Sequence, residues 1–310
     1  IYYLNFNENI IYLLSKFSKK NKKVSNEITL YLIKKIKKIF NIKLNNREAQ
    51  RLKDHNLLII NTIEKKLKFY RKIIKNIKPK LAIIENASYS ENAILNYALH
   101  QLGVRVAEPQ HGLISKSHLN YNYSTLIKNN KEYSFFLPDD FLSYGSYWSK
   151  KINASFTKQN IGSPHRSQNI IIKKKKIKNK KILLLSDGIN LNLMPYFAKK
   201  LFFLKNKKYE IFIRPHPREN IEYYKYNQFS EYFKIDIEKN LYKSFLDKEV
   251  ILSEQSTVLY EALNIVPKIF ILRTKKSIFT IPNHPFNEVK NVEELVNKLK
   301  STKTFYLKVK

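Results

Sequence analysis

Short apolar runs, each closed by a polar turn, constrain this chain more than any other feature. They lie at 81–84, 104–107, 141–145, 181–185, 209–213, 249–252 and 268–272. Runs this short suit strands buried on both faces. Helical patterns at 90–102, 195–205 and 258–264 lie between them, and a short helix is expected over 291–300. Strand, helix and strand at this spacing form the βαβ unit of a parallel sheet. The expected class is therefore α/β, with two Rossmann-like domains facing a cleft. A polar, lysine-rich stretch over 166–181 marks the boundary, giving domains 1–165 and 166–310. No internal repeat is visible.

The first 78 residues are expected to be mostly helical. Ile28, Leu32, Ile36 and Ile39 recur at helical spacing, with Lys34, Lys35, Lys37 and Lys38 between them. Such a helix either packs into a core behind a solvated lysine face or meets a membrane or polyanion. A second helical pattern runs from Arg47 to Ile77 and stops before Pro79.

Composition narrows the classes. Hydrophobic residues make up 43% of the chain, enough for a core, so general disorder is excluded. The formal net charge is +33, and only 8 of the 58 basic residues are arginine. Lysine, isoleucine and asparagine share A/T-rich codons, which accounts for much of this bias. The rest points to an anionic lipid or an acidic polymer. A nucleic-acid-binding protein is the rival reading, but no helix-turn-helix, zinc-finger or RNA-binding signature accompanies the charge. There is no cysteine, hence no disulfide framework and no thiolate metal site. No apolar run reaches the ~18 residues of a membrane span, and no signal peptide is seen. The chain starts at Ile1 and its one methionine is Met194, so the natural protein is expected to extend upstream.

Three segments carry the chemistry: Gln110-His111-Gly112, Arg214-Pro215-His216-Pro217 and Ser253-Glu254-Gln255-Ser256-Thr257. Each follows a strand, and parallel sheets bind ligands at the carboxyl ends of their strands. His216, held between two prolines, is placed to donate to a phosphate oxygen, with Arg214 and Arg218 adding positive charge. Ser256 is the expected N-cap of the next helix, with Thr257 as a further donor. Glu261, one turn on, suits a ribose hydroxyl. Asp187-Gly188 ends the first strand of the second domain. In the other domain His111 is the first candidate base, with Gly112 letting the backbone pass closely and Glu85 as the alternative. Gln110 and His118 are expected beside the acceptor. Asp139-Asp140 and Asp236-Ile237-Glu238 read as solvated, so no metal site is expected. GxxxxGK[ST] and GxGxxG are absent, and five glycines argue against a dinucleotide dehydrogenase.

The ordered set QHG, strand-Asp-Gly, RPHP and S-x-x-S-T-V-L-Y-E-A-L resembles bacterial surface-polysaccharide glycosyltransferases of the GT-B type. These include capsule, sialyl-, polysialyl- and Kdo transferases, and teichoic-acid glycerophosphotransferases share the layout. The resemblance covers roughly residues 80–275. It implies a nucleotide-activated donor, CMP-sugar favoured, held by His216, Pro217, Ser256 and Thr257 in the C-terminal domain. It implies a glycan or lipid-linked acceptor on the N-terminal side, no cofactor, and inverting, metal-independent transfer. The absence of cysteine fits the cytosol, and a cytoplasmic place, peripheral at the inner face of the bacterial inner membrane, is expected. The acidic pair that sialyltransferases carry before glycine is missing: Ser186-Asp187-Gly188 has one acid and lies in the second domain. A CDP-glycerol-type glycerophosphotransferase and a noncatalytic scaffold are the alternatives.

Overall fold

The computed structural model describes residues 11, 15, 16, 18, 20–169, 180–204 and 209–301. The stretch 166–181 chosen as a domain boundary lies largely outside them. The chain divides into two compact units. One comprises 1–111, 123–143 and 153–159, and the other 112–122, 144–152 and 160–310.

The first unit opens with two helices, α1 (Lys22–Phe40) and α2 (Asn46–Ile77). Asn45 caps α2 through a reciprocal capping box with Glu48. Strands β1 (Leu81–Ile83), β2 (Arg105–Pro109), β3 (Asp140–Ser143) and β4 (Thr157–Asn160) follow in spatial order β1-β2-β3-β4, with β1·β2 and β2·β3 parallel. Leu81 and Ile83 on β1 are exposed. The expectation of a buried strand there fails because β1 is the sheet edge. Helix α3 (Ala93–Gln101) ends in a Schellman turn: Gly103 has φ +72°, Val104 N–H reaches Leu99 O at 3.0 Å, and Gly103 N–H reaches His100 O at 3.0 Å. Tyr70 and Ile74 from α2, Ala98 and Leu99 from α3, and Val106 from β2 close this unit's core.

The second unit holds six parallel strands: β5 (Lys181–Leu185), β6 (Glu210–Arg214), β7 (Lys234–Ile235), β8 (Val250–Ser253), β9 (Lys268–Leu272) and β10 (Asn287–Val289). Their spatial order is β10-β9-β8-β5-β6-β7, all neighbours parallel. Numbered within the unit this is 3-2-1-4-5-6, the dinucleotide-fold order, whose reversal falls between β5 and β8. Side chains alternate between two cores. Ile182, Leu184, Val250 and Leu252 pack against Phe197 and Leu201 of α4 (Leu193–Leu204) on one face. Leu183, Leu185 and Ile251 pack against Tyr242, Phe245 and Leu259 on the other. A sheet buried on both faces explains the unbroken apolar runs.

Candidate functional site

The reversal between β5 and β8 gathers buried charge. Asp187, just past β5, has a side chain 5% exposed and pairs with Lys276; Lys276 also lies 3.5 Å from Glu254, just past β8. Glu254 accepts the Thr274 hydroxyl at 2.6 Å. Asp187 further accepts the Ile189 N–H at 2.9 Å and the Asn190 N–H at 3.2 Å. Burial pushes the Asp187 carboxyl up, but Lys276 and the two amides outweigh it and leave the pKa below the ordinary value. Asp187 is thus committed to shaping its own loop and tying the β5 and β8 ends together. Glu254 lies inside the Ser253–Thr257 segment but was given no role there, and Lys276 has no motif in the sequence to mark it.

His216 meets Gly188 directly. Gly188 has φ +77°, and a Cβ built there would lie 3.0 Å from His216 Nδ1 and 3.1 Å from its Cγ. Glycine is required here for both backbone and space. His216 Nδ1 accepts the Arg218 N–H at 3.2 Å, so a neutral ring carries its proton on Nε2. The loop is anchored by Glu219, which accepts the His216 N–H at 2.6 Å, the Ser186 hydroxyl at 2.6 Å and the Tyr224 hydroxyl at 2.9 Å. Glu219 lies three residues past the histidine and was missed in the sequence because a carboxylate in a loop reads as solvated. Pro217 is exposed. Arg214 turns the other way: its Nη1 donates to Asp236 at 2.9 Å and to Glu238 O at 2.9 Å. Its expected donor role gives way to a buried ion pair, and Asp236, expected to be solvated, has a side chain 7% exposed.

A cavity of about 790 Å³ opens within the same unit. Thr257 and Glu261 line it, with Arg166, His284 and the rings of Tyr147, Trp148 and Tyr260. Glu261 accepts the Tyr242 hydroxyl. Arg166 donates to Leu263 O at 2.6 Å, while its buried Nε–H has no hydrogen-bond partner among the described residues. The Tyr147 and Tyr260 hydroxyls are 2.8 Å apart, and Trp148 meets Tyr260 edge-on at 4.6 Å. Lys151 lies 3.7 Å above the Tyr147 ring, and burial pushes its ammonium down to about 8. Only Tyr144 and Gly145 of the 144–152 segment belong to the expected strand end at 141–145, and the sequence offers no motif for the aromatics after them. Ser256 is not the N-cap: Thr257 holds that position, and the Ser256 hydroxyl accepts the Val258 N–H at 3.2 Å. The helix after it spans only Val258–Glu261, shorter than the expected 258–264.

In the first unit, His111 and Glu85 follow β2 and β1. Both are exposed. Surrounding atoms nonetheless desolvate the His111 ring enough to hold its pKa below the ordinary value, against the opposing pull of the Glu85 charge. Tyr89 lies edge-on to His111 at 5.9 Å. Gln110 is buried and structural: its N–H donates to Leu142 O at 2.9 Å and its Oε1 accepts the Ser143 hydroxyl at 3.3 Å. Gly112 and His118 fall in the second unit. A Cβ at Gly112 would meet nothing within 4 Å, so no close backbone approach explains that glycine. His118 stacks edge-on with Tyr121 at 4.5 Å. Sequence reasoning overlooked Glu108, fully buried on β2, which accepts the Ser88 N–H at 2.8 Å. Asp139 and Asp140, expected to be solvated, accept from Val106 N–H at 2.8 Å and from Arg105 Nε at 2.6 Å.

No protein-family model matches the chain. No curated protein matches it either. Solved structures do. A putative UDP-N-acetylglucosamine 2-epimerase from Listeria monocytogenes is 11% identical, with 86% of this chain and 76% of that one covered and a TM-score of 0.52. UDP-GlcNAc 2-epimerase from Methanocaldococcus jannaschii, in complex with UDP-GlcNAc and UDP, is 15% identical over 78% and 74%, with a TM-score of 0.50. MurG from Acinetobacter baumannii is 12% identical over 77% and 69%, at 0.45. At these identities the likeness concerns the fold. Two parallel-sheet α/β units with a helical N-terminal region give the chain a GT-B type of fold.

Proposed function

We propose that this protein is a glycosyltransferase that moves a sugar from a nucleotide-activated donor, a CMP-sugar by preference, to a surface glycan acceptor of the capsule or lipooligosaccharide kind. The observation that carries the reading is that one unit holds both a shaped cavity, lined by Thr257 and Glu261 beyond β8, and a fixed histidine turn beyond β6. The cavity offers aromatic faces, a carboxylate and a guanidinium, which suit a nucleoside. Thr257 lines it, and Glu254, three residues earlier in the same loop, joins the network that fixes Asp187 beside Gly188.

In this reading the acceptor hydroxyl oxygen attacks the anomeric carbon. The bond from that carbon to the phosphate oxygen breaks, and the electron pair leaves with the nucleotide. His216 Nε2–H donates to the departing phosphate, an electrostatic role suited to a fixed donor. His111 accepts the acceptor's proton; its lowered pKa keeps the ring neutral and ready near pH 7. Inversion follows from a single displacement, and no metal ion is invoked. The work is assigned to the cytoplasmic face of the inner membrane; among the described residues no helix is long and apolar enough to cross a bilayer.

The comparisons raise a second reading, a nucleotide-sugar epimerase, because the structures at TM-scores of 0.52 and 0.50 are of UDP-GlcNAc 2-epimerases. Incubating the purified chain with nucleotide-sugars, with and without acceptor glycans, separates the two. Acceptor-dependent nucleotide release, insensitive to EDTA, is expected. Epimerised UDP-GlcNAc formed without acceptor overturns transfer in favour of the second reading. Metal-restored activity after EDTA removes the metal-independent part.

A further inference from the structure

Helix α1 carries an apolar stripe that its own unit leaves exposed. Its two fully buried side chains are Ser25 and Thr29. They face α2 through two hydrogen bonds, Ser25 Oγ to Lys53 O at 3.0 Å and Asn56 Nδ2 to Thr29 Oγ1 at 2.9 Å, while Thr29 Oγ1 also donates within α1 to Ser25 O at 2.7 Å. Leu32, Ile33 and Ile36 lie on the same face and are half-buried, but other large apolar residues point elsewhere. Val24, Ile28, Tyr31 and Ile39 share one stripe at helical spacing, with Tyr31 59% and Ile39 65% exposed. Phe40 ends the helix at 66% exposed. Ile28 and Ile39 thus lie outside the core, and of the two readings of this helix the core-packed one fails for them.

Contiguous apolar surface left in water on a described helix implies something that covers it. Charge says what. The helix carries six lysines and a single acid, Glu27. Lys35 sits 5.4 Å over the Tyr31 ring, within the stripe, and Lys34 and Lys38 border it on the solvent side. Apolar and aromatic side chains bordered by lysine are the pattern of a helix lying in the headgroup layer of an anionic bilayer. The opposite face, where Ser25 and Thr29 bond α2 beside half-buried Leu32, Ile33 and Ile36, is separate from the outer stripe. The stripe can therefore enter lipid without opening the unit's own core.

We infer that the outer face of α1 docks the protein onto an anionic membrane surface, with the apolar stripe entering the interface and the lysines meeting lipid phosphates. This does not depend on the transfer reading, since it is measured without donor or acceptor. The test uses the full chain with vesicles of phosphatidylcholine and phosphatidylglycerol in a three-to-one ratio, and phosphatidylcholine alone, read by cosedimentation. Binding to the anionic vesicles only is expected. Tyr31→Asp with Ile39→Asp should weaken it by about tenfold or more, as should Lys34→Glu, Lys35→Glu and Lys38→Glu combined. Both positions of the apolar pair are solvent-exposed, and an unchanged circular dichroism melt confirms folding. The same charge change made at Lys239, Lys275 and Lys290, exposed residues of the other unit, should cost little. Wild-type binding by the apolar pair overturns the inference. So does equal loss from the control triple, which would mean diffuse attraction by net charge. A dimer in solution that the apolar substitutions dissociate would assign the stripe to a second copy instead.

Discussion

At the scale of single residues, the proposal rests on donors whose geometry is fixed before any ligand arrives. His216→Ala should lower single-turnover transfer by about a hundredfold, because one preorganised donor to a developing oxyanion is removed. The Arg218 N–H on Nδ1 leaves only Nε2–H to act. Gly188→Ala tests the same place by crowding: its φ of +77° and the imidazole 3.0 Å away both oppose a side chain. A stability loss of about 1–2 kcal/mol in urea unfolding is expected, together with reduced transfer. Arg166→Ala should weaken nucleotide affinity about 10- to 100-fold by calorimetry, since a charged donor to the ligand is worth about 1.5–3 kcal/mol. For His111 the sign is set by its lowered pKa. Activity should persist as pH falls below the ordinary histidine range and drop only as the depressed pKa is crossed. His111→Ala should abolish that acidic limb while leaving nucleotide affinity nearly unchanged. The site residues that sequence reading proposed were those flanked by strong local signals, such as His216 between prolines. Glu219, Lys276 and Arg166 escaped it because their partners lie in other loops.

At the scale of elements, the strands of the second unit were legible because burial on both faces leaves unbroken apolar runs. The structure begins and ends β5, β6, β8 and β9 within a residue or so of those runs. Strands β4, β7 and β10 were not legible. Lys234–Ile235 is two residues long, Thr157–Asn160 is exposed throughout, and Asn287–Val289 carries one apolar residue. Edge strands of this kind owe their state to pairing with a neighbour, which composition does not record. Arg214 shows the same limit. Its place after a strand was right, but Asp236 past β7 claimed its charge. Glu219→Ala tests how far one side chain holds two elements together. It would leave the buried Ser186 and Tyr224 hydroxyls without this acceptor, so a loss of about 1–3 kcal/mol is expected in denaturant unfolding, with weaker transfer because the His216 turn loosens.

At the scale of the whole molecule, the α/β class and the pairing of two units could be read from alternating strands and helices. The exchange of segments could not. Residues 112–122 and 144–152 continue the first unit in sequence but belong to the second in space. Leu113 packs on the second unit's core, and the Tyr147 hydroxyl bonds that of Tyr260. Such crossings are set by side-chain packing between residues over a hundred positions apart, as with Tyr147 and Tyr260. They also explain why the aromatic wall of the cavity was invisible in the sequence. The central claim is that this cavity and the His216 turn together hold a nucleotide donor, and thermal unfolding in the presence of CMP, CDP, UDP and GDP tests it most directly. A nucleotide at one hundred times its dissociation constant adds about 2.7 kcal/mol to the native state. One of the four, CMP by preference, should raise the melting temperature of the wild type by several degrees and that of Arg166→Ala and His216→Ala by much less. No shift with any of them, or an equal shift in wild type and both variants, would contradict the account.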